Sequence, residues 1–248
     1  MAEFKLPTET VELPSKGLLY PEDSPLASGT IEMKYMTAKE EDILTNQNYL
    51  AKGIAIDKLL QSLIVTPNVD YNQLLLGDKN AIMIAARILS YGKDYEFTYN
   101  GESAKVDLST FNSKNIDESL LTGRLNDFKF TLPTSKNEIT FKFLSHGDEK
   151  SIEKELEGLK KINKDDSSEG STRLKYIITS VNGSREQADI RKFVDTYLLA
   201  KDARELRAYY SSISPDVDMK GDVVTPSGIE EGVDIPITLN FFWPDFRV

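Results

Sequence analysis

The stretch GDKNAIMIAARILSYG, residues 77–92, constrains this chain more than any other. Ala81, Ile82, Met83, Ile84, Ala85, Ala86, Ile88 and Leu89 leave almost no polar face between them. A helix that is apolar on nearly every side is stable only where neighbours cover most of it. The spacing therefore predicts a central helix, capped by Asp78 and stopped near Gly92. Arg87, the lone charge in its middle, is expected to pair with a carboxylate or to carry its head to the surface.

Upstream, Pro7, Pro14, Gly17, Pro21, Pro25 and Gly29 punctuate residues 1–36. Proline fixes its own φ and biases the preceding residue towards extended geometry, which predicts a rigid arm ending in a strand around Ile31 to Met36. Such an arm wraps its own domain or a neighbour. Thr37 and Glu40 in TAKEED have the spacing of a capping box, and Ile56, Leu59, Leu60, Leu63 and Ile64 recur on one side of a further helix.

From Asp94 the hydrophobic period changes. Asn100 and Gly101 form the pair expected at a tight hairpin, and Phe128, Phe130 and Leu132, then Ile139, Phe141 and Phe143, alternate about a second turn. These two hairpins predict one small antiparallel sheet. Helical spacing returns at Asp148 and Glu149, with Ile152, Leu156, Leu159 and Ile162 as its stripe. Residues 163–171, NKDDSSEGS, have the composition of a mobile loop or boundary. Beyond them an αα-hairpin is expected, with Leu174, Ile177, Ile178 and Val181 on one helix and a turn at Asn182 and Gly183. A capping box from Ser184 to Gln187 then opens a long second helix. The tail predicts a hairpin about TPSG whose returning strand alternates Ile235, Ile237, Leu239 and Phe241.

These segments predict an α+β fold: a helical core with inserted antiparallel β-hairpins, an extended Pro-rich N-terminal arm and a C-terminal β-hairpin. The arm and first strand occupy 1–36, an N-terminal helical part 37–93 and an antiparallel β part 94–146. A helical part with the αα-hairpin follows over 147–214, and a C-terminal β element with an aromatic tail over 215–248.

Charge and composition narrow the chemistry. The formal net charge of -10 repels phosphate backbones and anionic surfaces, and Lys160, Lys161 and Lys164 are followed at once by Asp165 and Asp166. Nucleic acid is not an expected partner. Arg185, Arg191, Lys192, Lys201, Arg204 and Arg207 alternate with acids along 185–207, which argues against a DNA-reading helix-turn-helix there. With no cysteine and a single His146, the chain offers no disulfide, thiolate metal site or imidazole cluster. No apolar run approaches the roughly 20 residues of a membrane helix, and the first residues lack the pattern of a secretory signal, so a reducing cytoplasm is the expected compartment. Asp202 and Glu205 share a helix face, but Arg204 and Arg207 beside them offer partners, and His146 in SHGDE has no nucleophile in view. No catalytic residue, cofactor site or metal site is expected.

The stretches ELPSKGLLYP, IEMKYMTAKEEDIL, GDKNAIMIAARILSYG, TRLKYIITSVNG and VDIPITLNFFWPD together resemble the baseplate hub assembly proteins of T-even-type contractile-tailed phages, over most of the chain. That group includes hub subunits and factors described as hub assembly catalysts. The resemblance implies a protein of the infected bacterial cytoplasm, or of the virion baseplate, that binds other hub proteins without an active site or cofactor. A chaperone-like role, a permanent hub subunit and a host-directed binding module are the functions to separate. Large aromatic side chains dominate interface energetics, which makes Leu18, Tyr20 and Pro21 of the arm and Phe242, Trp243 and Phe246 of the tail the candidate protein interface. The tail is also expected to close the fold, with Phe241 packed inward.

Overall fold

The computed structural model describes residues 6–115, 117–121, 123, 126–162 and 168–242. The arm forms strand β1 (Thr8–Glu12), which pairs antiparallel with β2 (Thr30–Lys34). Between them the proline-punctuated chain doubles back on its own domain, and the Leu13 N–H bonds the Gly29 carbonyl at 2.9 Å. Thr37 and Glu40 form the expected capping box at the start of α1 (Ala38–Thr45). Helices α2 (Gln47–Ala51) and α3 (Ala55–Leu63) follow, and α3 buries Leu59, Leu60 and Leu63.

The apolar helix is α4 (Leu76–Tyr91), and Gly92 ends it with a positive φ of 81°. Its start departs from expectation. Leu75, with extended backbone, precedes the first turn, so Asp78 lies inside the helix and is fully buried. The arm takes its carboxylate: Ser15 donates from its N–H at 2.9 Å and its hydroxyl at 2.7 Å, and Tyr20 donates its hydroxyl at 2.6 Å. Arg87 neither meets a carboxylate nor reaches the surface. Its guanidinium donates to the Gly92 and Asp94 carbonyls at 2.9 Å each, clamping the turn that leaves α4.

Strands β3 (Asp94–Tyr99) and β4 (Glu102–Asp107) meet at Asn100 and Gly101, both with positive φ. Strands β5 (Phe128–Thr131) and β6 (Glu138–Phe141) form the second hairpin. They do not share a sheet. After α5 (His146–Ile162) and α6 (Glu169–Ile177), residues Ile178–Val181 form strand β7, which pairs with β6 in a three-stranded antiparallel sheet. The αα-hairpin is therefore half strand. ITSV is dominated by β-branched side chains, which favour a pleated surface, and β6 supplies the open edge that fixes the choice.

The Ser184 box also does not form. Helix α7 (Gln187–Thr196) is capped at Glu186, and the Ser184 hydroxyl bonds Asp189 at 2.6 Å. The long second helix breaks at Tyr197, and α8 (Ala200–Ile213) starts afresh after Leu199. The tail then gives β8 (Lys220–Thr225) and β9 (Gly228–Asp234), turning at TPSG as expected. They extend the first hairpin into the four-stranded order β3-β4-β8-β9. The returning strand stops at Asp234, before Pro236, and residues Leu239–Phe242 form the short helix α9. Phe241 and Phe242 are both fully buried, and Phe241 meets Tyr95 edge-on at 4.9 Å. One continuous cluster of buried apolar side chains joins the arm, α4, the sheets and the tail.

Candidate functional site

Among the described residues, α3, α4 and α5 bound an open groove of about 720 Å³. Backbone pairing brings its parts together. The His146 N–H bonds the Leu74 carbonyl at 2.8 Å, the Leu76 N–H bonds the Leu144 carbonyl at 3.0 Å, and Leu75 bridges to Ser145. The start of α5 thus sits beside the start of α4. Ser145 and Asp148 exchange hydrogen bonds at 3.0 and 3.2 Å, so α5 begins at His146 instead of at Asp148.

His146 is buried at the inner end of this groove. Lys79, in the first turns of α4, donates to Asp57 Oδ1 at 2.7 Å and lies 3.3 Å from His146 Nδ1. The Tyr71 hydroxyl donates to the same Asp57 oxygen at 3.0 Å, and its ring meets the imidazole edge-on at 4.7 Å. His146 Nε2 faces Asp57 Oδ2 at 3.5 Å. A lysine ammonium can only donate, so Nδ1 acts as acceptor and the proton belongs on Nε2. Burial and the Lys79 charge hold the imidazole below the ordinary histidine pKa, and Asp57 opposes them less strongly. Burial, followed by the Asp57 charge and hydrogen bond, pushes the Tyr71 hydroxyl well above its usual range.

Chemically this is a closed set of partners. Asp57 accepts from two donors, Lys79 spends itself on Asp57 and His146, and no Ser or Cys nucleophile belongs to the set. It ties α3, α4 and α5 together at one point. Among the described residues, no group of His, Asp and Glu side chains is arranged to hold a metal ion, and no helix is long and apolar enough to cross a membrane. The sequence singled out His146 alone. Asp57, Tyr71 and Lys79 are too far from it along the chain for any local pattern to link them.

The candidate interface residues do not share one surface. Pro21 is exposed and Leu18 half-buried, but Tyr20 is 3% exposed and Phe242 wholly buried. Both of the latter are corrected to core residues: Tyr20 is drawn in by Asp78, and Phe242 packs edge-on against Phe241 at 5.0 Å. Trp243 and Phe246 lie outside the described residues. The carboxylate pair on α8 is not a pair either. Asp202 is buried and accepts from the Thr134 and Ser135 N–H groups at 2.7 and 2.9 Å, while Glu205 is exposed. Burial pushes the Asp202 carboxyl up, but its hydrogen bonds from Ser135 and Thr134 outweigh burial and hold it at about 2.

No protein-family model, curated protein or solved structure significantly matches this chain.

Proposed function

We propose that the protein is a baseplate hub assembly protein of a T-even-type contractile-tailed phage, a chaperone-like or scaffolding factor that acts by protein binding, without catalysis or a cofactor. The observation that carries the reading is the mutual packing of the stretches behind the resemblance. Ser15 and Tyr20 of ELPSKGLLYP hold Asp78 of GDKNAIMIAARILSYG, and Phe241 of VDIPITLNFFWPD packs on Tyr95 just beyond it. IEMKYM contributes β2, and TRLKYIITSVNG contributes α6 and β7. Residues that jointly specify an interior support kinship of fold better than a shared surface patch would. The self-satisfied cluster at His146 supports binding over catalysis, because its polar groups are already committed to one another.

The test is the copy number of this protein, by quantitative mass spectrometry, in purified virions and in assembly intermediates from one lysate. Presence only in intermediates is the expected result. Fixed copies in virions would replace the chaperone with a permanent hub subunit, and absence from both would overturn the phage-assembly reading.

A further inference from the structure

The groove beside His146 combines four apolar side chains with charged ones of unequal number. Ile54, Ile56, Met83 and Ile237 line it and are each only half-buried. Lys52 and Lys58 stand on its α3 side, and Lys150 and Lys154 project from α5. All four are exposed, and among the described residues none of them forms an ion pair. The acids of the groove are differently placed. Asp57 is taken by Lys79 and Tyr71, and Glu149 by Arg173 of α6. That leaves Glu153 and Glu157 against four free lysines. Burial and the neighbouring Glu149 and Asp57 push the Glu153 carboxyl up from its ordinary value.

A chain of net charge -10 therefore keeps a local excess of unpaired cations around this groove. Charges around a binding surface steer and select partners of opposite sign, while apolar side chains buried on binding supply the affinity. We infer that this groove seats an acidic amphipathic segment of a partner protein, whose apolar side chains meet Ile54, Ile56, Met83 and Ile237 while its carboxylates meet Lys52, Lys58, Lys150 and Lys154. A groove walled by helices suits a partner segment that is itself helical.

The inference rests only on the protein-binding part of the proposed function, and its test is separate from the virion copy number. The probes are fluorescein-labelled helical peptides with leucine on one face and either glutamate or lysine on the other, a scrambled glutamate peptide without an apolar face, and a single-stranded oligonucleotide of matched charge. Fluorescence anisotropy with the full chain should show the amphipathic glutamate peptide binding at least about tenfold more tightly than each of the other three. The double variant Lys58→Glu with Lys154→Glu replaces exposed side chains, so its circular dichroism should be unchanged while its affinity for that peptide falls about tenfold or more. Equal binding of acidic and basic peptides, no binding of either, oligonucleotide binding as tight as the peptide's, or a folded double variant that binds like the parent would each overturn the proposal. If the double variant fails to fold, Lys52→Gln with Lys150→Gln serves instead, with the same loss expected.

Discussion

Tyr20 joins the arm to the start of α4 through one oxygen. Its hydroxyl donates to Asp78 at 2.6 Å and accepts from the Leu75 N–H at 2.9 Å, immediately before α4. Phenylalanine at this position keeps the ring but leaves the buried Leu75 N–H without its acceptor and Asp78 with Ser15 alone. Tyr20→Phe is expected to lower unfolding free energy by about 2–3 kcal/mol, measured by urea titration, because a buried group stripped of its partner bears its own desolvation cost. His146 makes a second prediction, in pH. Its folded pKa is depressed by burial and Lys79, so the unfolded chain binds the proton more readily than the native one. Stability from this site is complete above the ordinary histidine pKa of about 6.5 and is lost as pH falls below it. The melting temperature of His146→Gln should accordingly vary less than the parent's between about pH 7 and pH 5.5. Residue type was legible for both positions but environment was not. Asp78 has the chemistry of a helix cap, and only the arm folded over α4 turns it into a buried acceptor.

At the level of elements, local signals read well where the partner is adjacent in sequence. Asn100 and Gly101 specify their hairpin, TPSG specifies the turn between β8 and β9, and Thr37 with Glu40 starts α1. They fail where a distant element decides. Ile177, Ile178 and Val181 fit a helical stripe, yet β6 claims the last part of it as β7. The apolar positions change face between Ile190 and Phe193 on α7 and Leu206 and Tyr210 on α8, which marks the break between the two helices. Continuous helix would have kept one face. Asp202, near the start of α8, holds the turn between β5 and β6 by its Thr134 and Ser135 N–H groups. Asp202→Ala should speed amide hydrogen exchange at those two positions more than at Asn100 and Gly101, whose turn it does not touch. The parent carboxyl titrates at about 2, below an unfolded aspartate. Its contribution is therefore present above about pH 4 and disappears as pH falls towards about 2, so the variant should show a smaller loss of stability across that range.

Across the whole molecule, the tail and the arm stabilise the same helix from different directions. Asp78 receives Ser15 and Tyr20 near the start of α4, and α9 packs on that helix with Phe241 against Tyr95, which follows its end. The four-stranded sheet adds a further link, because β8 of the tail pairs with β4 from the middle of the chain and carries β9 at its outer edge. That closure is also why the aromatic tail was only half legible. Alternation along 235–241 suggested a strand with one face inward, whereas Pro236 ends the extended run and a single helical turn buries two consecutive phenylalanines. If the core is shared in this way, damage at the tail has to reach the arm. Phe241→Ala removes a fully buried ring and should cost about 3–5 kcal/mol of unfolding free energy. The informative readout is where the loss appears. Hydrogen exchange in β1 and β2, which Phe241 does not enter, should accelerate by a factor comparable to that in β8 and β9, and denaturant unfolding should remain a single transition by circular dichroism and by exchange. Acceleration confined to β8, β9 and α9, with β1 and β2 as protected as in the parent, would show that the tail opens by itself and that α4 does not couple the two ends of the chain.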